Sequence, residues 1–338
     1  MATIYEVSKL ADVSLATVSR VINKNARVSE KTRQKVLVAM AELGYRPNSI
    51  AQSLASSRSN SVGVLVSELH GSFFGQMMAG IEAELRAAGK HVIITTGHSE
   101  EEKEKEGIEF LISRNCDAII LHVEAVSDEY LIDLCKGSTP IYLMSRLVNE
   151  LSENCISLDN ELGGFLATQS IIEQGHLAIA YITGPQFKAD SKDRLAGHKR
   201  ALAENNISFS DTLYFEGDFK ETGGSDGLKH FIKSKKEFSA LICANDEMAS
   251  GAITYAREHG FTLPNDLSII GFDNIIFARH TFPKLTTIDN PVNSMGHMAA
   301  KLVLKNNYQQ NDISITHSFE PTLITRDSVI LNTNRVKK

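Results

Sequence analysis

The sequence predicts an α/β protein, with an N-terminal helix-turn-helix headpiece followed by a two-lobed core with parallel sheets. Three observations predict it. Residues 1–60 hold nine Lys or Arg against four Asp or Glu, a net +5 that leaves −11 on residues 61–338 out of a formal total of −6. Residues 1–46 carry apolar positions at helical spacing, broken by short polar turns. From Val62 onward, runs rich in Val and Ile alternate with helical stretches, the pattern of βαβ units that assemble into parallel sheets.

A basic head on an acidic body is the distribution expected when only one part of a chain meets a polyanion. At 42% hydrophobic residues the 338-residue chain has ample material for packed cores. Its cysteines are scattered (Cys116, Cys135, Cys155, Cys243) with no C-x-x-C pair, which argues against a zinc site or a disulfide scaffold and for reduced thiols. No apolar run approaches the ~18–20 residues of a membrane helix. Residues 1–10 contain no apolar export region. A cytoplasmic protein without membrane contact is expected.

In the head, Ile4, Val7 and Ala11, with Leu10 beside them, mark a first helix. Asp12-Val13-Ser14 makes a turn, and Ser14 is a good N-cap for a second helix from Leu15 to about Asn23. At ~100° per residue, Val18, Val21 and Ile22 share one side of it and Ala16, Ser19, Arg20 and Asn23 the other. The second side is small or polar, and the Arg20 guanidinium suits a bidentate contact with guanine O6 and N7. The N-terminal end of such a helix, here Ser14, Leu15 and Ala16, approaches phosphates and base edges first. Thr17, Ser19 and Tyr45 are expected to position the phosphates. Ser29 caps a third helix with an apolar stripe of Val36, Leu37, Met40 and Leu43, and Gly44 closes it. Residues 1–46 thus read as one DNA-binding headpiece.

The run Val13-Ser14-x-x-Thr17-Val18-Ser19-Arg20-Val21-x-Asn23, continued by Gly44-Tyr45-Arg46-Pro47-Asn48, resembles the headpiece of the lactose/galactose-repressor (LacI/GalR) family of bacterial transcription regulators. The similarity extends more diffusely to about Arg326. Residues 47–57, with Ile50, Ala51 and Leu54 on one face, form a segment too short to be a stable helix alone. The resemblance implies that 47–60 is a hinge helix and linker, paired in a homodimer, with Leu54 wedged into the minor groove of roughly palindromic double-stranded operator DNA. Gln52 departs from the arginine many members carry there.

In residues 61–338, candidate strands are 62–66, 92–95, 118–122, 141–144, 179–182, 240–243 and 267–270, with helices 74–88, 101–113, 163–174 and 248–258 between them. So long a stretch favours two sheets with a cleft between them. The resemblance implies two periplasmic-binding-protein-like lobes, placed roughly at 61–160 plus 291–325 and at 161–290. Ligands in such folds gather at the carboxyl ends of strands.

Asn245 and Asp273 end apolar runs, and Arg194 follows another. Carboxylate, amide and guanidinium together suit a polyhydroxylated ligand, and Phe73, Phe74 and Phe219 offer faces for a sugar ring. On residue type alone, an Asp at a strand end more often caps the next helix. The resemblance places Arg194, Asn245 and Asp273 at effector-binding positions and the three Phe at pocket-lining ones. It places Ser145, Arg146 and Asp190 where members vary with their ligand.

No catalytic chemistry is expected. Gly223-Gly224-Ser225-Asp226-Gly227 fits G-x-S-x-G but follows a polar loop and reads as a helix N-terminus. The histidines show no metal spacing, no phosphate-binding loop is present, and the acidic run 100–106 reads as exposed helical turns. These observations predict a non-enzymatic transcriptional repressor without cofactor or metal, homodimeric and responsive to a small sugar, galactose by the resemblance. A purine or other small molecule is the alternative effector, and a sugar-binding transport protein the alternative class.

Overall fold

A computed structural model describes residues 2–22, 28–46 and 58–332. Asn23, Gln52 and Leu54, and with them the expected hinge helix, lie outside the described residues. The chain divides into two compact units, Met1–Asn60 and Ser61–Lys338.

The first unit contains α1 (Ile4–Leu10), α2 (Leu15–Ile22) and α3 (Glu30–Glu42). A reciprocal capping box starts α1: the Glu6 amide donates to Thr3 Oγ1 at 3.3 Å and the Thr3 amide to Glu6 Oε2 at 2.7 Å. Ser14 Oγ accepts the Thr17 amide at the head of α2, and Ser29 Oγ the Thr32 amide at the head of α3. Val7, Ala11, Val18, Val21, Val36 and Ala39 form the buried core. Leu37 is a correction. Expected in the apolar stripe, it is 44% exposed, because Val36 and Ala39 already face inward and Leu37 lies ~100° further round. Gly44, at φ +59°, ends α3 with its amide on Ala41 O while the Tyr45 amide reaches Met40 O.

The second unit holds two six-stranded sheets. The first runs β11-β5-β4-β3-β1-β2, built from β1 (Ser61–Val66), β2 (His91–Thr96), β3 (Ala118–Leu121), β4 (Ile141–Met144), β5 (Cys155–Leu158) and β11 (Ser318–Phe319). All its pairings are parallel. The second runs β12-β10-β9-β8-β6-β7, from β6 (Ile179–Thr183), β7 (Tyr214–Glu216), β8 (Ala240–Cys243), β9 (Ser268–Asp273), β10 (Thr286–Asp289) and β12 (Thr322–Ile324), and only β10–β12 is antiparallel. Central strands such as β3 and β8 are buried at every residue, as strands covered by helices on both faces must be. The helices α4 (Ser72–Ala87), α5 (Glu101–Ser113) and α6 (Asp128–Leu134) belong to the first lobe. α7 (Asn160–Glu173), α8 (Ala189–Glu204), α9 (Glu221–Ser234), α10 (Asp246–Glu258) and α11 (Ile276–His280) belong to the second, and α12 (Val292–Tyr308) packs on α4.

The chain passes from the first sheet to the second after β5, returns after β10, and crosses again between β11 and β12. The segment 291–325 is therefore not all first lobe. Thr322–Ile324 pairs with β10 of the second sheet, and Ser328 and Ile330 continue along β9 through hydrogen bonds to Ile269 and Ser268. The expected acidic turns at 100–106 are exposed at Glu100, Glu101, Glu102 and Glu106, with one exception. Glu104 is wholly buried, and its carboxylate accepts the backbone amides of Glu124, Ala125 and Val126 at 2.8–3.0 Å.

Candidate nucleic-acid interface and ligand cleft

On the headpiece, burial separates the two sides of α2. Val18 and Val21 are buried, while Leu15, Ala16, Ser19 and Arg20 are exposed together with the capping Ser14. Thr17 is half-buried, its hydroxyl 2.9 Å from that of Ser14. Tyr45 packs partly into the headpiece core, so its ring supports α3 as well as reaching the surface.

In the core, a cleft with about 770 Å³ of empty space lies where the carboxyl ends of both sheets meet. Phe73, Phe74, Asp190, Arg194, Phe219, Asn245 and Asp273 line it. Ser145 and Arg146 do not. They line an adjoining cavity, and Asp190 borders both.

Arg194 is the cleft's anchor. It stands on α8, which crosses α7 closely enough that a Cβ on Gly164 would lie 2.0 Å from Arg194 O, and one on Gly197 1.9 Å from Glu161 O. That approach buries Arg194 to 3% exposure. Its guanidinium stacks on Phe272 at 3.7 Å and donates through Nη1 to Ala244 O at 2.6 Å and through Nε to Asn160 Oδ1 at 2.9 Å. Nη2 alone faces acidic partners, Asp273 Oδ1 at 3.5 Å and Asp190 Oδ2 at 3.8 Å. A buried guanidinium so fully hydrogen-bonded is a fixed donor.

Asp273 ends β9 with φ +100°, and Asn274 follows at +52°, a backbone excursion that costs about 1–3 kcal/mol and turns the carboxylate into the cleft. Asn290 Nδ2 donates to Oδ1 at 3.1 Å. Burial holds the Asp273 carboxyl above its ordinary range, outweighing Arg194 and Asn290. Asn245 serves two roles. Its Oδ1 accepts the Met248 amide and so caps α10, while Nδ2 donates to Phe219 O at 2.8 Å. Phe219 sits at φ +66° with its ring over Gly184, where a Cβ would lie 2.2 Å from the ring. Phe73 and Phe74 meet edge-on at 5.3 Å, and Phe74 meets His122 at 5.4 Å.

The expected site did not include the polar group opposite Arg194. Glu124, on the loop held by Glu104, pairs with Lys188 of the other lobe at 2.8 Å, with both side chains only 13% exposed. Ser67 Oγ donates to the same carboxylate at 2.9 Å, and Ser99 also bonds it. Burial would raise the Glu124 carboxyl, but His122, Lys188 and the Ser99 hydrogen bond outweigh it and hold it below the usual range. Glu247 also lines the cleft, and burial, with Glu221, Asp273 and Glu68 nearby, pushes its carboxyl up to about 7. Ser67 directly follows a predicted strand and His122 ends one, which is the one signal that marked them. Nothing local marks Lys188 as the partner of Glu124.

Ser225, the serine of the G-x-S-x-G match, lies in α9 and donates to Glu221 O and Gly251 O. Among the described residues no cluster of metal-ligating side chains is present, and no helix is long and apolar enough to cross a membrane.

Residues 3–48 match the model for bacterial regulatory proteins of the lacI family, and residues 168–329 that for a periplasmic binding protein-like domain. Over 329 residues the sequence is 38% identical to the transcriptional regulator GalR of Salmonella typhimurium, covering 97% of this chain and 96% of the relative. The chain belongs to the LacI family. GalR of Escherichia coli is 37% identical at the same coverage. The Lac repressor dimer bound to operator and the anti-inducer ONPF superposes with a TM-score of 0.86 at 28% identity, covering 97% of this chain and 99% of that one. A CelR–cellobiose complex gives a TM-score of 0.71 at 28% identity, with 97% and 100% covered. These LacI-family relatives are transcriptional regulators, not enzymes.

Proposed function

We propose that this chain is a cytoplasmic, homodimeric transcriptional repressor whose affinity for a roughly palindromic operator falls when a small neutral sugar, galactose or a close relative, binds between the core lobes. The observation that carries the ligand class is the make-up of the cleft. Six acidic side chains (Glu68, Glu124, Asp190, Asp218, Glu247, Asp273), two of them, Glu247 and Asp273, shifted toward the neutral form, face three Lys or Arg side chains (Lys188, Arg194, Lys220). Such a lining repels phosphates and other anions. Paired donors and acceptors beside exposed ring faces match vicinal hydroxyls above an apolar sugar face. The relative CelR, solved with cellobiose, supports a sugar, and the headpiece match argues against a transport protein.

The mechanism is a population shift between lobe arrangements. Glu124–Lys188 joins the lobes across the cleft, as does Glu68–Lys220 at 3.7 Å. A ligand that prefers one arrangement by ~1.4 kcal/mol changes operator affinity about tenfold. In this mechanism the arrangement is read by a hinge helix at 47–57, with Leu54 as its minor-groove wedge.

Calorimetry against galactose, glucose, galactose 1-phosphate, adenine and guanine tests the effector class. A neutral monosaccharide should bind and the phosphate and purines should not. Binding of a purine alone would replace the sugar with the alternative effector.

A further inference from the structure

Glu247 presses a carboxyl from one lobe against the backbone of the other. It is the second residue of α10, in the second lobe, yet a Cβ on Gly71, at the head of α4 in the first lobe, would lie 3.3 Å from its Oε1. No side chain caps α4 at that end. We propose that this carboxyl is a proton-operated latch between the lobes, which lets the cleft shut when protonated and drives the lobes apart when ionised. The latch rests on the lobe motion proposed above and not on the identity of the cleft ligand.

Charged groups surround Glu247 from three elements besides its own. Across the cleft, the loop before α4 presents Glu68 and His70, paired with each other at 2.9 Å. The head of α9 and the loop before it supply Asp218, Lys220 and Glu221, and the end of β9 supplies Asp273. On α10 itself, Asp246 is engaged by the Ile275 amide and the Thr287 hydroxyl. Lys220 favours an ionised Glu247, but Glu68 shares it at 3.7 Å. The acids of the second lobe cannot move away. α9 and α10 cross so closely that a Cβ on Gly251 would strike Glu221 O, and one on Gly224 would strike Met248 O. Asp273 is tied to Asn290 and Arg194. An ionised Glu247 therefore regains water in one way, by withdrawal of the first lobe.

In the shut arrangement burial acts first, then Glu221, Asp273 and Glu68, and together they outweigh Lys220 and push the Glu247 carboxyl up to about 7. The amino end of α4 favours the ionised form, but more weakly than burial opposes it. Opening removes the cover of Gly71 and the charge of Glu68 while Glu221 and Asp273 stay, so the open carboxyl titrates lower. Closing thus takes up a proton. The shut arrangement is favoured in full at acid pH, and that preference is lost as pH rises to about 7.

The sequence contains no tryptophan, so Phe73→Trp, at a half-buried position on the cleft wall, gives a single reporter of lobe separation. Acrylamide quenching of the ligand-free, full-length protein is followed from pH 5.5 to 8. The quenching constant should rise at least twofold by pH 7.5 in Phe73→Trp and stay low throughout when Glu247→Gln is added. Glu247→Lys, whose ammonium would face the same acids, should also stay low and serves in place of the Gln variant if that one fails to fold. A constant that pH does not move, a rise that the Glu247 variants share, or a Gln variant that stands open at every pH would overturn the latch. Saturating galactose separates this outcome from the reading it rests on. A response to galactose without one to pH overturns the latch and leaves the population shift standing, whereas a response to pH alone upholds the latch and removes the sugar.

Discussion

At the scale of single residues, an exposed arginine on the headpiece and a buried histidine in the core each have a testable consequence. Arg20 is the exposed guanidinium on a helix face otherwise made of Ala16 and Ser19. Its replacement by Ala should cost ~1–3 kcal/mol at one guanine-containing step while leaving salt-sensitive background binding in place. Selection of binding sites from a random DNA pool checks this, and an unchanged consensus would remove Arg20 from base readout. In the core, His198 is buried against Tyr181, its Nδ1 2.9 Å from Thr168 Oγ1, and burial pushes its pKa down to about 3. The unfolded chain takes up that proton first, near pH 6.5. The folded state therefore keeps its full stability above that pH and loses it as pH falls from there toward 3. Relative to His198→Phe, the wild type should lose ~1.4 kcal/mol of stability per pH unit across that window. Urea melts of both proteins from pH 7 to 4 measure the difference, and parallel curves would show that the ring is not held neutral.

At the scale of elements, placement of the cleft residues depends on a few close approaches. Glu104 secures the 124–126 loop through three backbone amides, and that loop delivers Glu124. Each buried amide left without an acceptor costs about 1–3 kcal/mol, so Glu104→Ala should destabilise the core by ~3 kcal/mol or more. Glu104→Gln, which keeps one oxygen acceptor, should lose less. A denaturation midpoint unchanged in both would contradict this role. The strands most legible in the sequence are the continuous apolar runs at 141–144 and 240–243, which match β4 and β8 at both ends. Cys155–Leu158, Tyr214–Glu216 and Thr286–Asp289 are not legible because polar residues (Ser157, Glu216, Thr286, Thr287 and Asp289) interrupt them. Arg194, Asn245 and Asp273, which the family resemblance picks out beside apolar runs, do line the cleft. Lys188 and Glu124 are not legible, because their pairing joins different lobes and no local pattern encodes it. Within the otherwise exposed acidic run at 100–106, the burial of Glu104 is not legible for the same reason: the loop that covers it is distant in sequence.

At the scale of the whole molecule, a basic reading head and an acidic ligand core are two units of one chain with opposite charge. The split fits the proposed division of labour, in which DNA would meet the head and be repelled elsewhere while an uncharged ligand would enter a cleft lined with acidic side chains. The proposed function couples the two units, and Asp273, a cleft residue of the core unit, tests that coupling. Fluorescence anisotropy of a labelled operator, with and without galactose, on wild type and Asp273→Ala measures it most directly. Without sugar both proteins should bind the operator alike, and saturating galactose should weaken wild type at least tenfold while leaving Asp273→Ala unmoved. Equal release of both proteins by the sugar, or operator binding by wild type that no cleft ligand alters, would contradict control from the cleft.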